Sequence, residues 1–239
     1  MQLYNYIKSQ YENNHIIYNS SITIFVYLSC FPILNYFLMS VSENYRNSNK
    51  KQYIQANLLK SGVLVLLSYI FVILNLKENI LSLKSWKDHT LFMKNFSILY
   101  AITDTSGFLC RVKMQMTTIL HHIAVIIASY YICSSDLDNF ESRGIITYGG
   151  FASLAFVVNF FLATRYLEIP YKKELAKTSF IVYLSTCSLN WGYQFFAILE
   201  HISKIKTRIE LFKLTIYCII LYCWIKDDIV LMKYLRNYK

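Results

Sequence analysis

Long apolar stretches separated by short polar segments run along most of the chain, a pattern typical of a bundle of membrane-spanning helices. A helix that crosses the apolar core of a bilayer, about 30 Å thick, needs about 20 mostly apolar residues. Lys94 and Asp104 interrupt the third stretch and Lys213 lies near the start of the seventh, so six spans is the alternative to seven. We therefore expect an all-α polytopic transmembrane bundle of six or seven spans. The predicted spans are residues 21–41, 61–76, 91–110, 116–133, 144–164, 178–199 and 211–225.

The composition supports a membrane protein and argues against two other classes. Of the 239 residues, 55% are hydrophobic and only 16% are charged, whereas about 25% are charged in typical soluble domains. A chain this apolar does not have the composition of an intrinsically disordered protein. Six cysteines, most of them in or beside the apolar stretches, do not form the dense framework of a small disulfide-rich secreted domain.

The net charge of +10 is spread over short clusters between the apolar stretches, which argues against nucleic-acid binding. Lys and Arg residues that flank spans mark the cytoplasmic side of a membrane protein. With seven spans, the more basic face includes the loop that ends at Lys60, Arg165 at the end of the fifth span, and the C-terminal segment. We therefore predict a lumenal N-terminal segment (1–20), a transmembrane domain (21–225) and a cytoplasmic basic tail (226–239).

Ionisable residues within the predicted spans are few, and such residues tend to line cavities or mark functional sites. Asp104 follows Tyr100 by one helical turn, so both side chains project from the same helix face. His121 and His122 point about 100° apart, so that one can face a cavity while the other bonds a neighbouring helix. An imidazole oriented by a carboxylate suits a general base. The alternative is that these side chains only form hydrogen bonds that join helices.

Three further expectations concern cofactors and the wall of a cavity. The adjacent histidines suit a zinc site poorly, because zinc ligands on one helix are usually four residues apart and no third His or Cys is evident. We therefore expect no metal and no bound cofactor. Tyr100, Asn159 and Asn190 are candidates for the wall of a lipid cavity, although hydrogen bonding between helices is the favoured interpretation of the two asparagines.

The order of these polar residues resembles the TLC domain, which occurs in the ceramide synthases and the translocon-associated TRAM proteins. The similarity lies in Tyr100 and Asp104, followed by the pair His121–His122 at the start of an apolar helix, and then by a span that contains Asn159. It covers most of the chain. The resemblance implies a multi-pass protein of the endoplasmic reticulum or a related endomembrane whose partners are membrane lipids.

The resemblance implies two alternative functions. In the first, the protein binds lipid or influences the lipid composition of the membrane. In the second, it is an acyl-CoA-dependent acyltransferase of the ceramide-synthase type, in which acyl-CoA is a co-substrate. His121 or His122 would then serve as general base or acyl carrier, with Asp104 orienting the imidazole. Ceramide synthases carry acidic residues on the helix that follows the His pair, and this chain has none there, which favours the first function and the small TLC proteins.

Overall fold

Helices make up most of the described part of the protein in the computed structural model, which covers residues 2–78, 90–109, 114–135, 137, 139–167 and 169–238. No strand occurs among these residues, so the all-α fold class is confirmed for them. In chain order the helices are α1 (Gln2–Val41), α2 (Glu43–Asn47), α3 (Lys51–Glu78), α4 (Thr90–Leu109), α5 (Met116–Ser134), α6 (Phe140–Ser153), α7 (Phe156–Thr164), α8 (Lys172–Ile202) and α9 (Arg208–Arg236).

Each of the seven predicted spans coincides with helix, but several helices extend further than predicted. Helix α1 begins at Gln2, so the segment predicted to precede the first span continues that span as one helix. Helix α9 continues to Arg236, and Met232 and Leu235 near its end are buried. The segment predicted as a basic tail is thus mostly helical and packs against the bundle. The predicted end of the third span, at residue 110, lies outside the described residues.

Three helical segments in the described part of the chain are long and apolar enough to cross a bilayer, which indicates a membrane-embedded protein. They are Asn19–Val41, Lys51–Ile73 and Met116–Ser134. The consecutive helices α6 and α7 meet the same criterion as a pair, although the chain bends by 48° between them. The number of such segments is therefore three, or four if the bent pair is one span.

The fifth predicted span, residues 144–164, is broken rather than continuous. The helical hydrogen-bond pattern stops after Ser153 and resumes at Phe156. Serine side chains of two neighbouring helices contact the first residues of α7. Ser61 of α3 donates to the Phe156 carbonyl at 3.0 Å, and Ser179 of α8 donates to the Val157 carbonyl at 3.2 Å. The apolar pattern predicted the span over these residues but not the break within it.

Six helices form a closed ring, and this ring positions the candidate site. Helix α3 contacts α4, α4 contacts α5, α5 contacts α9, α9 contacts α8, α8 contacts α7, and α7 returns to α3. Helix α6 contacts α3, α4, α5, α8 and α9, so it lies inside the ring. Its residues are buried along most of its length. Helix α1 packs outside, against α3 and α4.

Candidate functional site

A cavity of about 400 Å³ occupies the part of the ring interior that α6 does not fill. Every helix of the ring contributes to its wall, as does the C-terminal half of α6. The wall combines apolar side chains with charged and hydroxyl-bearing ones, an unusual lining for the interior of a membrane protein. The polar residues of the wall include Tyr53, Lys60, Tyr100, Asp104, Thr118, His121, His122, Tyr148, Asn159, Arg165, Tyr183, Asp227, Asp228 and Tyr234.

Asp104 is the centre of a group of charged side chains, which we call the His–Asp cluster (Lys60, Asp104, His121 and His122). Its side chain is only 1% exposed, and the Lys60 ammonium donates to its Oδ1 atom. His122 Nδ1 lies 2.6 Å from Asp104 Oδ2, and His121 Nε2 lies 3.5 Å from the same oxygen. Because the four residues lie on α3, α4 and α5, which are neighbours in the ring, the packing of these helices creates the cluster.

The two histidines have different environments, as their adjacent positions predict. Their rings are nearly perpendicular, with centroids 5.4 Å apart. Asp104 accepts a short hydrogen bond from His122 Nδ1, which assigns the Nδ1–H tautomer and leaves Nε2 with a lone pair in the neutral ring. His121 makes no hydrogen bond through its buried Nδ1 atom, which lies 3.6 Å from Asp227. His122 is therefore the better oriented base.

Two neighbouring acidic residues of α9, Asp227 and Asp228, face the same cavity. Asp227 accepts a hydrogen bond from Thr118 of α5 at 2.9 Å. Asp228 is buried and accepts hydrogen bonds from the hydroxyls of Tyr148 and Tyr183, the latter at 2.6 Å. The carboxylates of Asp104 and Asp227 thus lie on two sides of His121. This arrangement places negative charge on two sides of the His121 imidazole.

Two of the three residues predicted for the cavity wall do lie there. Tyr100 and Asn159 line the cavity, but Asn190 belongs to a separate buried hydrogen-bond network. In that network Gln194 donates to the Asn190 side chain at 3.2 Å and to the Gly144 carbonyl at 3.0 Å. Asn190 is thus bonded within α8, and Gln194 rather than Asn190 makes the hydrogen bond to the neighbouring helix α6.

Sequence reasoning missed several residues of the site. Lys60 was assigned to a cytoplasmic loop, but it lies within α3 and pairs with buried Asp104. Asp227 and Asp228 were assigned to the tail after the last span, whereas α9 carries both into the cavity wall. The doublet of acidic residues next to an apolar stretch was the available signal. Its burial depends on the continuation of α9, which the apolar pattern alone does not require.

A metal ion could be held by the His–Asp cluster, since the donor atoms of Asp104, His121 and His122 lie within 4.8 Å of one another. Zinc also accepts carboxylate ligands, so Asp104 supplies the third ligand that was not found among the His and Cys residues. The hydrogen bond from His122 and the ion pair with Lys60 already occupy both carboxylate oxygens, and a cation would have to displace one of them. The absence of a metal remains a prediction.

A small apolar pocket of about 30 Å³ adjoins the main cavity at His121. His121, Tyr100 and Tyr148 line both spaces. The remaining wall of the pocket is mostly aliphatic and aromatic, with Val125 and Trp224 among its members. The histidine therefore lies where a polar space meets an apolar one, an arrangement that suits an amphiphilic ligand.

Comparison of the chain with models of known protein families, with curated proteins and with solved structures gave no match. The resemblance to the TLC domain therefore rests on the residues named in the sequence.

Proposed function

We propose that this chain is a multi-pass membrane protein of the TLC type, located in the endoplasmic reticulum or a related endomembrane, that binds an amphiphilic lipid and so influences membrane lipid composition. The observation that carries the proposal is the cavity inside the helical ring, which has the His–Asp cluster in its wall and an apolar pocket beside it. The charged groups suit the polar part of a lipid, and the apolar side chains of the cavity wall suit its alkyl part.

The seven-span arrangement belongs to this proposal, and the outer surfaces of α8 and α9 support it. These helices have 31 and 29 residues, which is more than a span requires. Large apolar side chains are exposed on their outer faces, as in Leu189 and Phe196 of α8 and Ile219 of α9. Asp228 of α9 is buried instead. Apolar residues outside and ionisable residues inside are typical of helices that face lipid.

Lipid binding can be tested with a substitution that fills the cavity. Asn159 lines the cavity, and its neighbour Phe160 is exposed on the outside of the same helix. Asn159→Trp is therefore expected to displace a ligand from the cavity, whereas Phe160→Trp adds the same indole at the outer surface. The measurement is photo-crosslinking of the purified protein by a lipid that carries a diazirine in its acyl chain, followed by mass-spectrometric location of the labelled peptides.

We expect labelling of α4 and α5 peptides that face the cavity in the wild type and in Phe160→Trp, and its loss in Asn159→Trp. Labelling confined to the outer surface of α1, α8 and α9 in all three proteins would contradict a lipid site inside the ring. Circular dichroism of both variants in detergent would show whether their helices are retained.

The second candidate is acyl transfer, which the hydrogen bond between His122 and Asp104 specifically favours. A carboxylate on Nδ1 fixes the ring so that Nε2 can accept a proton. In this reaction the acceptor hydroxyl or amine of a lipid attacks the thioester carbonyl of acyl-CoA while His122 takes its proton. The carbon–sulfur bond then breaks, and the thiolate leaves as coenzyme A after taking that proton. Asp227 and Asp228 provide acidic groups in the cavity wall, whereas residues 144–164, the predicted span after the His pair, contain none.

Labelled acyl-CoA tests this candidate. Membranes that contain His122→Ala are expected to lose a labelled lipid product that wild-type membranes form from a sphingoid base or a lysophospholipid. Removal of a general base lowers the rate by about 10²–10⁴-fold. His201→Ala is the matched control. His201 lies at the end of α8, where it stacks on Phe140, and it does not line the cavity. Equal product from wild type and a folded His122→Ala protein would exclude this catalytic role and leave lipid binding.

A further inference from the structure

Arg165 lies directly after α7, within a cage of three tyrosines. Its Nη1 atom donates to the hydroxyl of Tyr234, and its Nη2 atom donates to the hydroxyl of Tyr53 at 3.0 Å. The guanidinium carbon lies 5.1 Å from the ring centroids of Tyr53 and Tyr234 and 4.7 Å from that of Tyr166. Because the tyrosines come from α3, α9 and the segment after α7, the guanidinium is fixed where three elements meet.

The cage holds the guanidinium without neutralising it. Tyrosine rings and hydroxyls attract a cation but carry no net charge. Among the residues that the structure describes, no carboxylate forms an ion pair with Arg165. Its Nε atom is buried and has no hydrogen-bond partner among them. Each Nη atom carries a second N–H besides the one donated to a tyrosine. The guanidinium therefore keeps two donors and an unbalanced charge with which to bind an oxyanion.

The cage opens on the same cavity as the His–Asp cluster. The distance between the cage and the cluster follows from the spacing of residues along α3 and α9, because each helix contributes to both. Tyr53, Arg165 and Tyr234 all line the cavity. On α3, Tyr53 and Lys60 are seven residues apart, and on α9 so are Asp227 and Tyr234. Seven residues are two helical turns, or about 10.5 Å. A ligand with an anionic group at Arg165 would therefore reach the histidines with a polar group about 10 Å away.

We propose that Arg165 and its three tyrosines bind the phosphate group of the ligand in the cavity. The proposal rests on the lipid-binding function above and names its chemical class: an amphiphile that carries a phosphate. The phosphate belongs either to the headgroup of a phospholipid or to the coenzyme A part of an acyl thioester. Both present an oxyanion to the guanidinium, and both carry an alkyl chain for the apolar part of the cavity.

Binding to the purified protein in detergent tests the proposal with four probes: dioleoylphosphatidic acid, dioleoylglycerol, coenzyme A and inorganic phosphate. The two lipids have the same chains and differ in the phosphate. Native mass spectrometry is expected to show at least about tenfold tighter binding of dioleoylphosphatidic acid than of dioleoylglycerol, because a charge-assisted hydrogen bond contributes about a factor of 10–100. Preference for coenzyme A over the phosphatidic acid would assign the phosphate to a thioester.

Arg165→Gln is expected to remove the preference for the phosphate-bearing probe, and Arg165→Lys to retain part of it, since lysine keeps the charge but not the planar fork. Arg236→Gln is the control, because Arg236 is an exposed arginine at the end of α9, and it should leave binding unchanged. Equal binding of the two lipids by the wild type, with coenzyme A and phosphate both unbound, overturns the proposal without any variant. If cavity labelling by the diazirine lipid persists in that case, lipid binding stands and only the phosphate site fails.

Discussion

Replacing Lys60 by methionine tests whether the His–Asp cluster holds the helical ring together. Methionine has a similar length and flexibility but lacks the ammonium group. The Asp104 carboxylate, 1% exposed, would then keep the hydrogen bond from His122 and lose the ion pair on its other oxygen. We expect Lys60→Met to destabilise the folded protein, because a buried carboxylate without its cation is poorly solvated.

The magnitude follows from the burial of the two partners. Breaking a fully buried ion pair by removing one partner costs about 3–5 kcal/mol. The Lys60 side chain is 19% exposed, and His122 continues to donate to Asp104, so the lower end of that range applies. A loss of about 3 kcal/mol lowers the folding equilibrium constant by about two orders of magnitude. For a chain of this size it lowers the melting temperature by about 6–12 °C.

The assay is unfolding of the purified protein in mixed detergent micelles, with Lys204→Met as the matched control. Lys204 also pairs with a carboxylate, Glu200, but both side chains are mostly exposed, and such pairs contribute little. A double-mutant cycle with Asp104→Asn isolates the pair, and we expect a coupling free energy of at least about 1 kcal/mol. If Lys60→Met and Lys204→Met unfold alike, or if the cycle shows no coupling, the ion pair does not stabilise the ring.

Three further predictions concern helix packing, a helix cap and metal. Gly144→Ala is expected to destabilise the fold by about 1–3 kcal/mol, because its Cβ would lie 2.0 Å from the Tyr217 hydroxyl. Gly192→Ala is the control and should not destabilise the fold, because Gly192 has open space around it. Equal stabilities of the two variants in thermal unfolding would contradict this prediction. Thr207 and Glu210 form a capping box at the start of α9, and the backbone N–H groups of Lys206 and Thr207 lower the pKa of the Glu210 carboxyl. The contribution of this carboxylate to stability is thus present above its unfolded-state pKa and is lost as the pH falls through the lower folded-state pKa. Amide protection factors at the start of α9, which correct for the intrinsic pH dependence of exchange, should fall as the pH is lowered through that range in the wild type but not in Glu210→Gln. Chelation by EDTA is expected to leave lipid binding unchanged, and a loss of binding that Zn²⁺ restores would show that the His–Asp cluster holds a metal.

The sequence was sufficient to predict the helices and the apolar character of the fold. Both depend on local properties, since the length of an apolar stretch and the helical preference of its residues need no knowledge of the neighbouring helices. The same applies to Asp104 and the histidines, whose presence inside apolar stretches made them candidates for a site. Their meeting at one carboxylate was a hypothesis that the observed contacts of α4 and α5 now support.

Only the tertiary structure decided which other residues contact Asp104 and the two histidines or line the same cavity. Lys60 lies at the start of an apolar stretch, where it resembles an interfacial lysine, and only the packing of α3 against α4 directs it to Asp104. Asp228 follows an apolar stretch, and only the packing of α9 in the ring buries it beneath two tyrosines. The 48° bend between α6 and α7 is likewise not indicated by the apolar pattern, which runs through it. A residue's own sequence neighbourhood sets whether it forms a helix, but its partners are set by the rotation and contacts of whole helices, which pair residues far apart in the chain.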